Sequence, residues 1–247
     1  MNKNSISSED KLTKMFDNIS SKYDFLNHIL SFGIDILWRK KVINLLITIK
    51  KKKYKKILDL ATGTGDLAIL LAKKFRNASI IGLDPSEKML KIAKNKIKKN
   101  FLEKRITLIQ GYSQNIPFKK NTFDLVTIAF GIRNFKYIHL SLQEIYRILK
   151  PLGILEILEF SNPSNPYIKI FYHLYSHSIL TRIGTFFSKN YFAYNYLQES
   201  IKYFSYYGKK MKKLLKYHGF KNYSTKELTF GIVSIYLSQK NNSKIYF

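Results

Sequence analysis

Asp59, Gly63 and Gly65, with Asp84 one β-α-β unit later and the pair Arg133–Asn134 further on, are the residues whose types and spacing could do chemistry. The first three lie in "LDLATGTGD", where an apolar run ends in an acid and two glycines stand two apart. Three kinds of ligand compete for such a turn. A phosphate-gripping P-loop needs Lys followed by Ser or Thr directly after the second glycine. Asp66 and Leu67 stand there instead, and a carboxylate at a helix start repels phosphate. A dinucleotide fingerprint needs a third glycine three residues on, and that position is Ala68. The third candidate is S-adenosylmethionine, whose amino and sulfonium groups are cationic and gain from an acid beside the turn. Gly63 and Gly65 let the main chain approach the ligand closely, and Asp84 is placed to take both ribose hydroxyls. The set points to S-adenosylmethionine, with a nucleotide site of another kind as the alternative.

Tyr112 and Ser113 in "QGYSQNIPF" follow the third apolar run. There Tyr112 can stack on an adenine and Ser113 can donate to it; ordinary loop residues are the equal alternative. "AFGIRN" follows the fourth run. Arg133 can stabilise a developing oxyanion or polarise a water, and Asn134 can hold that water or the substrate oxygen. For Arg133 a helix cap or surface salt bridge is the alternative. Tyr23–Asp24 and His177 are candidate bases. Asp124 is expected to be structural, and Glu159 is left open. No metal site is expected.

The elements that must position these groups follow from hydrophobic periodicity. Leu12, Met15, Phe16, Ile19, Tyr23, Leu26 and Leu30 fall at helical spacing, Gly33 breaks the pattern, and "IDILWRKKVINLL" resumes it. Strands are expected at "KILDLA", "SIIGLD", "ITLIQG", "FDLVTIAFG" and "ILEILEF". Helices alternate with them at "DLAILLAKKF", at "EKMLKIAKNKIKK" capped by Ser86, and at "LSLQEIYRILK", stopped by Pro151. Several strands are unbroken apolar runs, as in a parallel sheet covered by helices on both faces, so the class is α/β. A last helix, "KKMKKLLKYH", ends at Gly219, and "KNYSTKEL" with "IVSIYLSQK" closes the sheet. One domain is expected over 1–247: an N-terminal helical lid at 1–50, a cofactor-binding core at 55–160, a substrate-covering aromatic insert at 161–207, and a closing helix and strands at 208–240.

The chain carries 43 Lys and Arg against 16 Asp and Glu, a formal charge of +27, and no cysteine. Disulfides, thiolate metal sites and cysteine nucleophiles are thereby excluded. Almost all the positive charge is lysine spread along the chain. That reads as a solvated surface rather than a nucleic-acid site, which favours arginine forks. Attraction to an anionic membrane surface is the alternative. The polar N-terminus has no apolar leader and no run is long enough to span a bilayer, so the expected location is the cytoplasm.

Taken together, "FDNISSKYDFLNHILSFGIDILWRK", "LDLATGTGD", "IPFKKNTFDLVTIAFGIRN", "RILKPLGILEILEFS", "YHLYSHSILTRIG", "YNYLQESI" and "LTFGIVSIY" resemble the quinone-biosynthesis C-methyltransferases. These are demethylmenaquinone methyltransferase and its ubiquinone-pathway twin, the 2-methoxy-6-polyprenyl-benzoquinol methylase. The likeness runs from about Phe16 to Tyr236. It implies a Rossmann-like, seven-stranded class I fold, S-adenosylmethionine as methyl donor and a prenylated quinol as acceptor. It carries cofactor contacts onto Thr64, Asp84 and the pair Tyr112–Ser113, where the family usually has Asn or Asp followed by Ala. The implied reaction converts demethylmenaquinol to menaquinol, or acts alike on the polyprenyl methoxy-benzoquinol. Arg133 and Asn134 would serve the acceptor, and aromatics of the insert (Tyr172, Tyr175, Phe186, Phe187, Tyr191, Phe192, Tyr196) would cover its ring and tail. Such a substrate implies peripheral contact with the inner face of the membrane; a homodimer is left open. The rivals are an RNA or protein methyltransferase on the same fold, a nucleotide-binding module without catalysis, and a small-molecule O-methyltransferase. Enzymes that methylate planar nitrogens often place Asn-Pro-Pro-Tyr after the fourth strand. Here "NPSNPY" comes after the fifth, and no nucleic-acid partner is expected.

Overall fold

A computed structural model describes residues 8–49, 53–163, 165–168, 196 and 199–241. Two helices come first, α1 (Ser8–Leu30) and α2 (Ile34–Thr48). They part at Gly33, whose φ of +74° is left-handed and cheap only for glycine. Strands and helices then alternate: β1 (Lys56–Leu60), α3 (Asp66–Lys74), β2 (Ser79–Asp84), α4 (Glu87–Lys99), β3 (Ile106–Gln110), β4 (Phe123–Ala129), α5 (Ile138–Ile148) and β5 (Leu149–Phe160). α6 (Lys209–Tyr217), β6 (Phe220–Leu228) and β7 (Val233–Lys240) follow. Ser86 caps α4 as its side chain suggests, accepting from the Met89 amide at 3.1 Å.

The sheet order is β3-β2-β1-β4-β5-β7-β6, with β7 antiparallel between β5 and β6. β1 pairs in parallel with both β2 and β4. The chain therefore leaves β1 in one direction and later returns to its other side. At such a switch point the loops after the two strands diverge and leave a crevice at the carboxyl edge.

α2 packs on one face of the sheet through Trp38, Val42 and Leu46, beside Leu67 and Leu71 of α3. Leu142 and Ile145 of α5, with Met211 and Leu215 of α6, cover the other face. Residues 169–195 of the aromatic insert, with His177 and all its named rings except Tyr196, lie outside the described residues.

One boundary differs from the sequence reading. The helix expected to run to Pro151 stops at Ile148, and β5 starts at Leu149 and passes through Pro151. The pairing with β4 shifts register there, and Leu152 sits at φ +61°. A proline that cannot donate to the ladder is tolerated at a strand's first residues and at bulges. Here it marks an irregular strand start rather than a helix stop.

Across the sheet's middle, Asp59, Thr127 and Glu156 stand in register on β1, β4 and β5. Thr127 Oγ1 donates to Asp59 at 2.8 Å, but both carboxyl oxygens of Glu156 are buried without a hydrogen-bond partner. Burial, and then the neighbouring Asp59, push the Glu156 carboxyl well above the ordinary range. A buried polar group without a partner costs roughly 1–3 kcal/mol. Glu156→Leu is therefore expected to raise stability by about that much in urea titrations; a loss would show that this carboxyl is solvated or paired.

Candidate functional site

The crevice at the switch point is a cleft of about 780 Å³, counting its open mouth, within the ~300–1,000 Å³ range of small-molecule sites. Its floor is built by the loops after β1 to β4: Ala61 and Gly63, then Asp84, then Tyr112 and Ser113, then Phe130 and Gly131. Leu12, Phe16 and Tyr23 of α1 form its roof.

Gly63 stands at φ +55°, and a Cβ added there would meet nothing within 4 Å. The turn is thus bare on the cleft side. Asp84, buried at the end of β2, accepts the Gly63 amide on Oδ2 and the Ser86 amide on Oδ1, each at 2.9 Å. Burial lifts its carboxyl to about 6 against the pull of those two donors. An ionisable acid fixed in the wall, with main-chain amides on both oxygens, fits a ribose diol and a cationic ligand.

Asp59, Thr64 and Gly65 sit behind the turn and outside the cleft lining. Asp59 is buried and accepts the hydroxyls of Thr62 and Thr127 at 2.6 and 2.8 Å; burial lifts it to about 6. It shapes the turn from below. Gly65, at φ +84°, would bring a Cβ to 3.1 Å from Ala93 Cβ, so it lets α4 pack close. Thr64 donates its hydroxyl to Asp24 Oδ1 at 2.6 Å. Lys96 of α4 bridges Asp24 and Asp66 and reaches Thr64 Oγ1 at 3.2 Å. Two helical turns earlier Asp17 accepts Ser86 Oγ at 2.6 Å. Asp17 and Asp24 thus tie one side of α1 to the loops after β2 and β1. Sequence reading considered Asp24 only as a base and passed over Asp17 and Lys96. The acids' seven-residue spacing was the available signal, since it puts both on one helical face.

Tyr112 and Ser113 line the cleft together. Ser141 Oγ donates to the Tyr137 carbonyl at 3.0 Å, so Ser113 donates in the 2.7 Å contact between the two serine hydroxyls. Ser113 then faces the cleft as an acceptor, the polarity an adenine amino group requires.

Gly131 has no room for a side chain. A Cβ would lie 2.6 Å from Ala61 Cβ, and Ala61 and Phe130 already stand at φ +56° and +57°. The loops after β1 and β4 touch here across the cleft floor. Gly131→Ala is expected to push them apart, costing roughly 1–3 kcal/mol as overpacking does. Calorimetric titration with S-adenosylhomocysteine should read a loss of affinity; unchanged binding would show that the floor yields freely.

The next two residues separate. Asn134 lines the cleft, and its Oδ1 accepts the Tyr196 hydroxyl at 2.9 Å, which leaves its NH₂ as the donating end. Arg133 lines a second cavity, with Phe135, Tyr196 and Phe204. Its Nη1 donates to Glu159 Oε1 and to the Phe130 carbonyl, both at 2.7 Å, and its guanidinium lies 5.3 Å from the centre of the Phe160 ring. Burial opposes its charge, but Glu159 and then the Tyr23 phenol hold its pKa above the ordinary value. Burial raises the Tyr196 phenol, against Arg133's pull, so it keeps its proton as the donor to Asn134. Asp124 lies far from all this. It takes the Lys55 and Lys56 amides and Lys150 Nζ, the structural place expected of it.

A seven-stranded sheet in this order, with a cleft over the glycine turn and an acid ending β2, defines a class I S-adenosylmethionine-dependent methyltransferase. A methyltransferase from Aquifex aeolicus shares the fold, with a TM-score of 0.63 over 90% of this chain and 97% of its own, at 16% identity. The chain belongs to the ubiE/COQ5 methyltransferase family, whose profile matches residues 4–240. It is 40% identical over 231 residues to demethylmenaquinone methyltransferase of Bacteroides fragilis, covering 94% of this chain and 93% of that one. It is 41% identical over 235 residues to the ubiquinone/menaquinone biosynthesis C-methyltransferase UbiE of Geotalea daltonii, covering 94% and 97%. The chain is an S-adenosylmethionine-dependent C-methyltransferase of menaquinone or ubiquinone biosynthesis.

Proposed function

We propose that the chain methylates a ring carbon of demethylmenaquinol to give menaquinol, at the cytoplasmic face of the membrane. The observation that carries the chemistry is the wall between the two cavities, where Asn134 faces the glycine turn and Arg133 faces the aromatic side. S-adenosylmethionine supplies, when bound, an electrophilic methyl group. Gly63 and the Asp84 carboxylate would hold it, with Tyr112 and Ser113 at its base.

The chain's own residues then have little covalent work. Phe16, Phe130 and Phe135 keep water from the reacting carbon. The Asn134 amide donates to a quinol oxygen and stabilises the phenolate whose charge spreads to the ortho carbon. Tyr196 fixes that amide's direction. Arg133 and Glu159 hold the short turn that carries Asn134 and keep a cation behind the developing phenolate. Of the candidate bases, Tyr23 lines the cleft, whereas Asp24 is taken up by Thr64 and Lys96. Tyr23 Oη is then the relay that takes the proton released on methylation and passes its own to water at the cleft's mouth.

The polyprenyl methoxy-benzoquinol is the second reading, because a relative at 41% identity is named for both pathways. Mass spectrometry of quinones from cells lacking the protein separates the two. Accumulated demethylmenaquinone supports the first and accumulated unmethylated methoxy-benzoquinol the second; an unchanged profile rejects both.

A further inference from the structure

A surface helix ordinarily turns its polar residues outward. At its start α2 does the opposite: Ile36 and Leu37 are 41% and 60% exposed, and Lys40 follows on the same side. Next to this helix lies the turn between β6 and β7. Trp38 Nε1 donates to Thr229 Oγ1 at 2.7 Å and so pins that turn against α2. Within the turn Thr229 and Phe230 both adopt left-handed backbone, φ +47° and +56°, and the Phe230 ring is 80% exposed. Two consecutive non-glycine residues in that region are costly. The packing around Phe230 returns nothing for it, since the strained backbone delivers the ring into solvent. The bond from Trp38 offsets the strain at Thr229, but the strain at Phe230 only holds an apolar ring in solvent, and strain of that kind points to use.

Charge is arranged around the same spot. Lys226 of β6 lies so near Lys41 of α2 that the like charge pulls its ammonium pKa down. None of Lys40, Lys41 and Lys226 forms an ion pair with a described residue. The whole cluster lies at the carboxyl edge of the sheet. Trp38 contacts the Phe130 ring of the cleft floor, with centroids 5.8 Å apart, and Ile232 accepts from Ser161 just past β5. No described helix is long and apolar enough to cross a membrane. Exposed apolar side chains ringed by lysines that have no acidic partner among the described residues suit a surface contact with anionic lipid, where the rings enter the headgroup boundary and each lysine adds attraction.

We propose that Ile36, Leu37 and Phe230, with Lys40, Lys41 and Lys226, form the face by which the protein docks on an anionic lipid surface. The face stands beside the cleft, so docking sets the cleft's edge at the bilayer. That placement deepens the proposed function, since a prenylated acceptor lies in the bilayer, but the docking itself is tested without any quinol.

The test is sedimentation of the full chain with vesicles of phosphatidylglycerol and phosphatidylcholine, or of phosphatidylcholine alone. Partition is expected to be about tenfold stronger on the anionic vesicles. The double variant Leu37→Ser/Phe230→Ser should lose about tenfold. Lys41→Glu/Lys226→Glu should lose as much and flatten the salt dependence. Phe101→Ser, at the opposite edge of the sheet and 89% exposed in the native chain, should change nothing. All variants should keep native turnover on a quinol with a short, water-soluble tail. Native partition in both double variants, an equal loss in Phe101→Ser, or a change in oligomeric state instead of vesicle binding would overturn the proposal. Vesicle binding without turnover on any quinol would sink the proposed function alone. Turnover without vesicle binding would sink the docking face alone.

Discussion

Arg133→Ala is expected to cost the protein roughly 3–5 kcal/mol of stability, the usual result of removing one partner of a buried ion pair. For a chain of this size that lowers the melting temperature by roughly 6–20 °C. Glu159 is fully buried, and its Oε1 has Arg133 Nη1 at 2.7 Å and the Phe160 amide at 2.9 Å. Without the guanidinium, a buried carboxylate is left with main-chain donors alone. The Phe130 carbonyl loses a donor at the same time. The variant's slow turnover would therefore report a damaged wall as well as lost chemistry. Adding Glu159→Gln to Arg133→Ala removes the stranded charge and should recover a kcal/mol or more, while activity stays low because Asn134 has lost its support. Urea titrations of the single and double variants measure this. A melting temperature within a degree or two of native for Arg133→Ala would show that the pair contributes little.

The second large effect is on donor binding. Asp84→Asn should weaken S-adenosylmethionine binding by about two orders of magnitude, since charge-assisted hydrogen bonds contribute ~1.5–3 kcal/mol each and two ribose hydroxyls are at stake. The pH dependence gives the change a signature. Burial holds the native carboxyl at about 6, so it is ionised above that pH and takes up a proton below it. Native affinity should decline by roughly five- to sixfold between pH 6 and pH 5, and that slope should vanish in the variant. Stability moves the opposite way. An acid whose folded pKa is raised binds protons more tightly in the folded chain. Its contribution is therefore most favourable below about pH 4 and is lost as pH rises through 6. The ionised carboxylate costs the ligand-free fold up to about 3 kcal/mol at neutral pH. Asp84→Asn should accordingly be no less stable than the native chain at pH 7.5, however weakly it binds. Calorimetric titration and thermal melts together decide the matter; a variant that binds as tightly as native would remove Asp84 from the site.

Most of the scaffold was legible before any coordinates, because unbroken apolar runs such as "KILDLA" and "SIIGLD" announce strands buried on both faces. The β5 boundary was not. Pro151 carries the same local signal whether it ends a helix or opens an irregular strand, and only the pairing with β4 decides. In the site, the bare turn at Gly63 and the acid at Asp84 followed from local spacing. The roles of Asp59 and Thr64 did not, because which way a side chain points behind a turn depends on partners far along the chain, here Thr127 and Asp24. Arg133 and Asn134 are neighbours in sequence, yet they end in different cavities, since a single turn of 3₁₀ helix sends adjacent side chains apart. Glu156 had no sequence signal beyond an acid inside an apolar run, and its isolation is a property of the packed sheet.

The two aspartates of α1 have one more implication. They fasten the roof to both loops that would grip the methyl donor, through Ser86 at one point and Thr64 with Lys96 at the other. The roof over the donor cleft is thus held at two points by carboxylates, so cutting both ties should loosen α1 over the cleft. Asp17→Ala/Asp24→Ala is then expected to speed the exit of S-adenosylhomocysteine in stopped-flow release, and an unchanged rate would show that the mouth alone sets the passage.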